Sequence, residues 1–410
     1  MATGQAEPTW EELLGLKNWD GLLNPLNLKL RQLLRRCGDF CQKGSDYDVV
    51  SFLYATACVS VPEALLIHSR SRESWDRESN WMGYVAVTTD QVSRALGRRE
   101  IYVAWRGTIQ DYKWINVLGA DQGSAKPLLR SNDNNKDDDE VQVMRGWLTI
   151  YISNNSNSPF VKTSARVQLI TIIKQLTNKY KDEKLSVVIA GHSLGASLAV
   201  LSAFDFAEHE AVTKDTLVTA FVFGCPQVGN KEFRERVESH RNLKILHTRN
   251  TIDFITRYPG PLLGYVDIGT ELVIDSRKSP YLNETLLPGD WHNLQGMLHV
   301  VDGWNGEEGE FELKVKRSLA LVNKSSGFLK EDYLVPSSWW AEKNKGRCST
   351  KVAGTGSWLL LTTRICLCLS FDVLDFYSSW APILEGGFSF KAMRALNDSN
   401  SSMVYLYFRM

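Results

Sequence analysis

Gly191-His192-Ser193-Leu194-Gly195 is a G-x-S-x-G pentapeptide, and the sequence on either side of it decides the fold. The apolar run Leu185–Ala190 comes directly before it and has the composition of a buried parallel strand. The small-residue stretch Ala196–Ala199 comes directly after it and is typical of a helix that packs closely. A serine on a sharp turn between such a strand and such a helix is the arrangement of a nucleophile elbow. The pentapeptide therefore predicts that Ser193 is a nucleophile.

Glycine is needed at both glycine positions of the pentapeptide for a physical reason. A Cβ at Gly191 or Gly195 would keep strand and helix apart, and the sharp turn forces the serine into a strained backbone conformation. The positive end of the helix dipole lies behind Ser193, where it favours negative charge on a substrate carbonyl oxygen. The alternative is an ordinary glycine-rich turn in which Ser193 only caps the helix, and the flanking segments argue against it.

Strand and helix patterns alternate around the pentapeptide. Further strands are predicted at Tyr84–Val87, Ile101–Trp105, Leu217–Phe223 and Leu243–Thr248. Helices are predicted at Val167–Tyr180, at about 194–209 and at 230–239. This alternation predicts a mostly parallel sheet covered by helices, in a domain of residues 81–346. Scattered helical signals before it predict that residues 1–80 are a helical segment packed on that domain.

A serine hydroxyl needs a base, and the base needs an orienting carboxylate. In elbow-containing hydrolases the chain order is serine, then aspartate or glutamate, then histidine. Asp253 lies just beyond the strand Leu243–Thr248, where the orienting carboxylate is expected. Three other aspartates remain alternatives: Asp267, Asp275 and Asp290. Two histidines follow Asp253, and both His292 and His299 are candidates for the base.

Composition excludes several classes of function and partner. Lys plus Arg equals Asp plus Glu at 47 each, so no net field attracts nucleic acid. The 7 cysteines are an odd number without regular spacing, which argues against a disulfide framework and against a zinc site. The N-terminus has no signal-peptide pattern, and the apolar stretch Trp358–Phe371 is too short to span a bilayer. We therefore expect a cytoplasmic protein with no transmembrane segment and no metal.

Six motifs, in the expected order, resemble those of the plant class II phospholipases A1. They are Trp81–Ala86, Ala104–Thr108, Gly191–Gly195, Gly224–Asn230, Arg277–Leu282 and Trp291–Leu294. The resemblance runs from about Trp10 to Gly346, and it extends more distantly to the fungal triacylglycerol lipases. Six motifs over most of the chain are far more specific than one pentapeptide.

The resemblance implies an α/β-hydrolase fold of the class 3 lipase type, with a mostly parallel central sheet flanked by helices. It implies that Ser193, Asp253 and His292 form the catalytic triad. It also implies that the loop after Trp105 completes the oxyanion hole, with Thr108 as a donor beside the N–H of Leu194. A second donor at this place is what the tetrahedral intermediate of acyl transfer requires.

The same resemblance implies a substrate, and no cofactor is expected. The expected reaction is hydrolysis of the sn-1 acyl ester of a phospholipid, or of another glycerolipid, at a membrane surface. A galactolipase or a neutral-lipid lipase of the same fold is the alternative within this chemistry. A lipase-like regulator that binds partners without catalysis is the alternative outside it, and the presence of all three triad residues argues against that reading. The sequence leaves the oligomeric state open.

Three segments depart from the family pattern or allow two readings. Ile109–Ala120 is expected to form a lid over the acyl pocket, or else an ordinary buried segment. Arg35–Tyr47 is unusual where relatives have a more helical, aromatic stretch. Residues 347–410 carry no family motif beyond a faint likeness at Gly356–Leu359, and they are expected to form an atypical tail.

The end of the resemblance at Gly346 predicts that the tail is dispensable. A protein that ends at Gly346 should keep the melting temperature and the esterase rate of the full chain, because the tail shows no matched apolar face. Thermal unfolding and hydrolysis of a soluble ester measure the two quantities. Loss of solubility or of activity in the shortened protein would place the tail in the core instead.

Overall fold

The structure, a computed structural model of the chain, describes residues 7–39, 46–55, 80–107, 120–130, 136–156, 161–340, 392–395 and 403–406. The chain divides into two compact units, Met1–Leu359 and Leu360–Met410. The described residues of the second unit are one antiparallel pair of strands, Ala392–Ala395 and Met403–Leu406. The remainder of the predicted tail lies outside the described residues.

The first unit is built on a mostly parallel sheet. The strands within its described residues are β1 (Tyr47–Ala55), β2 (Asn80–Thr88), β3 (Arg99–Trp105), β4 (Gln122–Ser124), β5 (Gln142–Met144), β6 (Leu185–His192), β7 (Leu217–Phe223), β8 (Leu243–Asn250) and β9 (Thr270–Ile274). Seven of these described strands form one sheet in the order β1-β2-β3-β6-β7-β8-β9. The pairs from β3 to β9 are parallel, whereas β1, β2 and β3 pair antiparallel. The predicted α/β architecture with a mostly parallel sheet is confirmed.

Helices cover both faces of this sheet. Those that the described ranges contain are α1 (Trp10–Leu13), α2 (Leu28–Asp39), α3 (Asp90–Leu96), α4 (Arg145–Ile152), α5 (Ala165–Lys179), α6 (Leu194–Glu208), α7 (Lys231–Ser239), α8 (Pro288–Trp291) and α9 (Leu294–Gly303). Short 3-10 turns lie at Lys126–Leu128, Lys136–Asp139, Phe254–Arg257, Pro261–Leu263, Ser276–Lys278, Leu319–Lys324 and Glu331–Tyr333. In the part of the chain that the structure describes, no helix is both long and apolar enough to cross a membrane.

Alternation along the central strands creates one apolar core on each face. In β6, Val187 and Ile189 belong to the first core, which also contains residues of α4, α5, α6 and α7. Val188 and Ala190 belong to the second core, which contains residues of α2 and α9. Side chains of a strand point alternately to opposite faces, so an unbroken apolar run is buried on both of them. The apolar run before the pentapeptide therefore lies at the centre of the sheet.

The N-terminal segment differs from the prediction. Residues 1–80 were expected to be helical, but Tyr47–Ala55 is a strand that pairs with β2 and forms one edge of the sheet. The segment is rich in β-branched and aromatic residues, which favour an extended chain. The unusual stretch Arg35–Tyr47 contains the end of α2 and the start of β1, and its residues 40–45 lie outside the described residues.

Helix α6 is buried along its whole length. Every residue of Leu194–Glu208 is buried, so its polar side chains need partners inside the protein. Asp205 accepts a hydrogen bond from the hydroxyl of Tyr151 at 2.9 Å and two from the guanidinium of Arg166, both at 2.8 Å. One carboxylate thus joins α6 to α4 and α5.

We predict that Asp205→Ala destabilises the protein by roughly 3 kcal/mol, because the Arg166 guanidinium and the Tyr151 hydroxyl lose a shared buried acceptor. Denaturant unfolding measures the change. Arg130→Ala is the matched control, since its ion pair with Glu210 is exposed on both sides and should contribute little. Equal effects of the two substitutions would mean that the buried cluster does not stabilise α6.

Candidate active site

The turn at Ser193 is strained, as a nucleophile elbow requires. Ser193 follows the last residue of β6 and precedes α6, and its backbone has φ 57° and ψ −126°. A positive φ is rare for a residue with a side chain and costs on the order of 1–3 kcal/mol. The N–H of Ser193 donates to the carbonyl oxygen of Phe223 at 3.0 Å. The neighbouring strand β7 therefore helps to hold the serine in this conformation.

The two glycines of the pentapeptide lie where no side chain fits. A Cβ on Gly191 would lie 2.2 Å from the carbonyl oxygen of Gly195. A Cβ on Gly195 would lie 2.5 Å from the carbonyl oxygen of Trp105, at the end of β3. Both contacts are with backbone, which cannot move aside as a flexible side chain can. The first turn of α6 thus packs directly on β6 and β3, for the reason that the sequence predicts.

The structure brings Asp253 and His292 together. Nδ1 of His292 lies 2.6 Å from Oδ2 of Asp253, and both side chains are buried. The second oxygen of Asp253 accepts a hydrogen bond from the N–H of Ile255 at 3.1 Å. A carboxylate at Nδ1 keeps the proton on that nitrogen, so Nε2 is left as the hydrogen-bond acceptor. This is the tautomer that a general base needs.

Two polar atoms at this site are buried without a hydrogen-bond partner among the described residues. They are Oγ of Ser193 and Nε2 of His292. Buried polar atoms in folded proteins are usually hydrogen-bonded, and the exceptions concentrate where function requires them. These two are the atoms between which a proton passes when a histidine activates a serine. Neither atom has to give up a hydrogen bond to a described residue when a substrate enters the site.

The loop that carries His292 is fixed by a residue that sequence reasoning missed. The amide nitrogen of Asn250, the last residue of β8, donates to the carbonyl oxygen of Trp291 and to the hydroxyl of Ser276, each at 3.0 Å. Asn250 therefore joins the strand that precedes Asp253 to the residue that precedes His292. Its position at a strand end, three residues before the candidate carboxylate, is the signal that could have indicated this role.

His192 supports His292 directly. Its Nε2 lies 2.7 Å from the carbonyl oxygen of His292, and the two rings lie 4.7 Å apart, centroid to centroid. Burial, and after it the neighbouring His292, lower the pKa of His192 to about 3, so His192 is neutral at neutral pH. A neutral ring with its proton on Nε2 donates to that carbonyl oxygen. Sequence reasoning placed His192 in the elbow but gave it no such contact.

Glycine also makes room for the ring of His292. Gly224 has φ 54°, and a Cβ there would lie 2.9 Å from Cε1 of His292. This glycine follows the last residue of β7 and begins one of the motifs that resemble the phospholipases. Its absence of a side chain is therefore a requirement of the site, and not only of the turn.

One of the two predicted oxyanion donors is described. Leu194 is the first residue of α6, so its N–H has no acceptor within the helix. Thr108 lies outside the described residues, as does the expected lid Ile109–Ala120 except for its last residue. The start of their loop is close to the elbow, because a Cβ on Gly107 would lie 2.6 Å from the carbonyl oxygen of His192.

Comparison with known proteins identifies the family. The family model Lipase (class 3) matches residues 102–263. Phospholipase A1-IIdelta of Arabidopsis thaliana is 56% identical over 399 residues, which cover 86% of this chain and 96% of that protein. The chain belongs to the plant class II phospholipases A1.

Other relatives agree with this family assignment. Phospholipase A1-II 5 of Oryza sativa subsp. indica is 45% identical, over 87% of this chain and 83% of that protein. Solved fungal lipases are more distant: Rhizomucor miehei triacylglyceride lipase is 19% identical, with a TM-score of 0.39, over 66% of this chain and 83% of that chain. The family model and the plant relatives confirm the resemblance and the class 3 lipase fold predicted from the sequence.

Within this phospholipase A1 fold, the alternative base has a different partner. Nε2 of His299 lies 2.8 Å from the hydroxyl of Ser279, and its ring makes an edge contact with Tyr281. Burial, and after it the charge of Arg317, lower the pKa of His299 to about 4. His247 also has a partner, because its Nε2 accepts the N–H of Cys225 at 3.0 Å. Among the described residues, neither histidine contacts a carboxylate, which is the group that orients the base of a catalytic triad.

The alternative aspartates are engaged elsewhere as well. Asp267 accepts hydrogen bonds from Arg257 at 2.6 Å and from Gln227 at 2.9 Å. The other two contact residues close to them in sequence, since Asp275 pairs with Arg277 and Asp290 accepts the hydroxyl of Thr285. Asp253 is thus the one of the four aspartates that the structure places against a candidate base.

We predict that His292→Ala abolishes labelling by a fluorophosphonate probe, whereas His299→Ala leaves labelling in place. The first substitution removes the only histidine of the pair that contacts a carboxylate. The second removes a buried hydrogen bond and should cost about 1–3 kcal/mol of unfolding free energy. Probe labelling and denaturant unfolding of both variants are the measurements. If labelling is lost in His299→Ala and kept in His292→Ala, the base is His299.

Proposed function

We propose that this chain is a phospholipase A1, which hydrolyses the sn-1 acyl ester of a phospholipid through an acyl-enzyme on Ser193. The observation that carries the proposal is the environment of Ser193. Its hydroxyl is buried and unengaged at the start of α6, in a chain whose Asp253–His292 pair leaves one imidazole nitrogen free. The relatives named phospholipase A1-II support the choice of substrate.

The reaction proceeds in two acyl transfers. In the first, Nε2 of His292 takes the proton of Ser193 as Oγ attacks the ester carbonyl carbon. The tetrahedral oxyanion is held by the N–H of Leu194 and by the positive end of α6, while Asp253 stabilises the imidazolium. Collapse breaks the ester bond, and His292 returns the proton to the leaving lysophospholipid. Water then repeats the sequence on the acyl-enzyme and releases a fatty acid.

A cavity beside the elbow supports an acyl substrate. It has a volume of about 260 Å³, and the described residues that line it include Trp81, Tyr84, Trp105, Phe223 and Leu294. These walls are mainly aromatic and aliphatic and suit a hydrocarbon chain, and Arg106 is the charged residue among the described ones that line the cavity. The acyl chain of the ester is the part of a phospholipid that fits such walls.

We also propose that the enzyme acts in the cytoplasm. The two cysteines within the described ranges, Cys37 and Cys225, are free and buried thiols, which supports a reducing compartment. Fractionation of cells that express the tagged protein tests the location, and recovery in the secreted fraction would contradict it.

We predict that the purified protein releases the sn-1 fatty acid from a phosphatidylcholine with different chains at its two positions. Mass spectrometry of the products measures the position of cleavage. Ser193→Ala should fold normally and lower kcat by roughly 10³-fold or more, because oxyanion binding survives the loss of the nucleophile.

Substrate panels separate the proposed function from its alternatives. Faster hydrolysis of a galactolipid or a triacylglycerol than of the phospholipid would identify a galactolipase or a neutral-lipid lipase. Wild-type protein that neither hydrolyses any of these esters nor reacts with a fluorophosphonate would be a non-catalytic binding protein.

A further inference from the structure

Two pairs of leucines project into solvent from the loops that carry Asp253 and His292. Leu262 is 100% exposed, and its neighbour Leu263 is more than half exposed. Leu286 is 89% exposed, and its neighbour Leu287 is about two-thirds exposed. Single exposed leucines are ordinary on a protein surface, but apolar residues that cluster around one site indicate a binding surface. We refer to these four residues as the leucine turns.

The first leucine turn is held in place by hydrogen bonds at its base. The N–H of Gly260 donates to the side-chain oxygen of Gln227 at 3.0 Å. The carbonyl oxygen of Leu263 accepts a hydrogen bond from the side-chain amide of Gln122 at 2.8 Å. Since the backbone is fixed on both sides of Leu262, the exposure of that side chain is a property of the folded turn.

The second leucine turn is organised by one threonine. The hydroxyl of Thr285 donates to the carboxylate of Asp290 and accepts the N–H of Leu287, each at 3.0 Å. The carbonyl oxygen of Thr285 accepts the indole N–H of Trp291 at 3.0 Å. These contacts close the loop at its base and leave Leu286 at its apex. The same loop therefore carries Leu286 and leads to His292.

Both turns leave the carboxyl edge of the parallel strands. Gln227, which holds the first turn, follows the end of β7, and Asp253 follows the end of β8. Asn250, at the end of β8, bonds the carbonyl oxygen of Trp291 in the second loop. Phe254, next to the predicted carboxylate, is half exposed as well. The exposed apolar residues thus lie on loops at the edge of the sheet where β6 ends and Ser193 follows.

The leucine turns carry no charge of their own. Tyr258–Val266 contains no charged residue, and Arg257 and Asp267 at its two ends neutralise each other in an ion pair of 2.6 Å. Leu286–Gly289 is also uncharged, and the whole chain has a formal net charge of +0. A surface of this kind fits an uncharged or zwitterionic partner with an apolar interior, and it offers no attraction to an anionic one.

We propose that the leucine turns insert into the outer hydrocarbon layer of a zwitterionic phospholipid bilayer and hold the carboxyl edge of the sheet against it. The inference rests on the proposed function, because a phospholipid substrate lies in such a bilayer. Exposed leucines gain free energy when they leave water for hydrocarbon, and rigid turns lose little conformational entropy on insertion. The same loops that position Asp253 and His292 thereby set the height of Ser193 above the ester.

Partition into phosphatidylcholine vesicles, measured by sedimentation, tests the proposal. All proteins carry Ser193→Ala, so that no lipid is consumed during the measurement. Adding Leu262→Ser together with Leu286→Ser should weaken partition at least about tenfold, since two leucines no longer enter the hydrocarbon. Adding Leu262→Trp together with Leu286→Trp should preserve or strengthen it, because tryptophan favours the membrane interface. These two positions are the most exposed of the four, so neither pair of changes disturbs the core.

Leu16→Ser together with Leu28→Ser is the matched control. Both leucines are about half exposed, and Leu16 lies beside the starts of β6 and β7, at the opposite edge of the sheet. This control should change partition by less than about twofold. Equal weakening by the two serine pairs would overturn the assignment to the leucine turns. Partition that requires an anionic lipid and disappears in high salt would also overturn it, because that dependence marks an electrostatic surface.

A second copy of the chain is the competing occupant of this surface. If Leu262→Ser with Leu286→Ser dissociates a dimer in analytical ultracentrifugation and leaves partition unchanged, the turns form an interface between copies. Hydrolysis by the wild-type protein is a separate measurement, and it tests the proposed function. Failure of hydrolysis with normal leucine-dependent partition would contradict the function alone. Normal hydrolysis with leucine-independent partition would contradict only the present inference.

Discussion

The site depends on one close approach, that of the start of α6 to β6 and β3. Gly191 and Gly195 permit it, because a Cβ at either position would overlap backbone atoms. Once the helix lies this close, the chain has a single residue in which to turn from strand to helix, and Ser193 takes up a positive φ. The strain is balanced by the burial of every residue of α6. The conformation of Ser193 is thus a consequence of how the core packs.

The rest of the site is fixed by backbone contacts at the same edge of the sheet. His292 is held through its own carbonyl oxygen by His192, and through that of Trp291 by Asn250. Asp253 is held at one oxygen by the N–H of Ile255, which leaves the other for the imidazole. None of these contacts involves a charged partner other than Asp253. The imidazole is therefore held in place by backbone hydrogen bonds of its loop and by one buried carboxylate.

Sequence reasoning succeeded where a local pattern determines the structure. β6, β7 and α6 follow from unbroken apolar runs and from the pentapeptide, because burial on all sides requires that composition. β1 was missed, since Asp48 and Val49 are exposed at an edge and the alternation is weak there. β9 was missed as well, because its Glu271 looks unsuited to a sheet until Arg249 of β8 is seen to bind it. The role of His192 depends on His292, which lies 100 residues later, so no local signal could reveal it. The role of Asn250 was missed although its position at a strand end, just before Asp253, could have indicated it.

At the carboxyl edge of the sheet, polar side chains are buried and apolar side chains are exposed, which is the reverse of their usual distribution. Ser193, Asp253 and His292 are buried there, whereas Leu262 and Leu286 are exposed. Burial strengthens the interaction between carboxylate and imidazole and excludes water that would compete for both. Burial of the leucines would require their loops to fold back over this edge of the sheet. Under the proposed function, one cause explains both observations. A substrate embedded in a bilayer presents its polar ester to the buried groups, and the bilayer presents hydrocarbon to the exposed leucines.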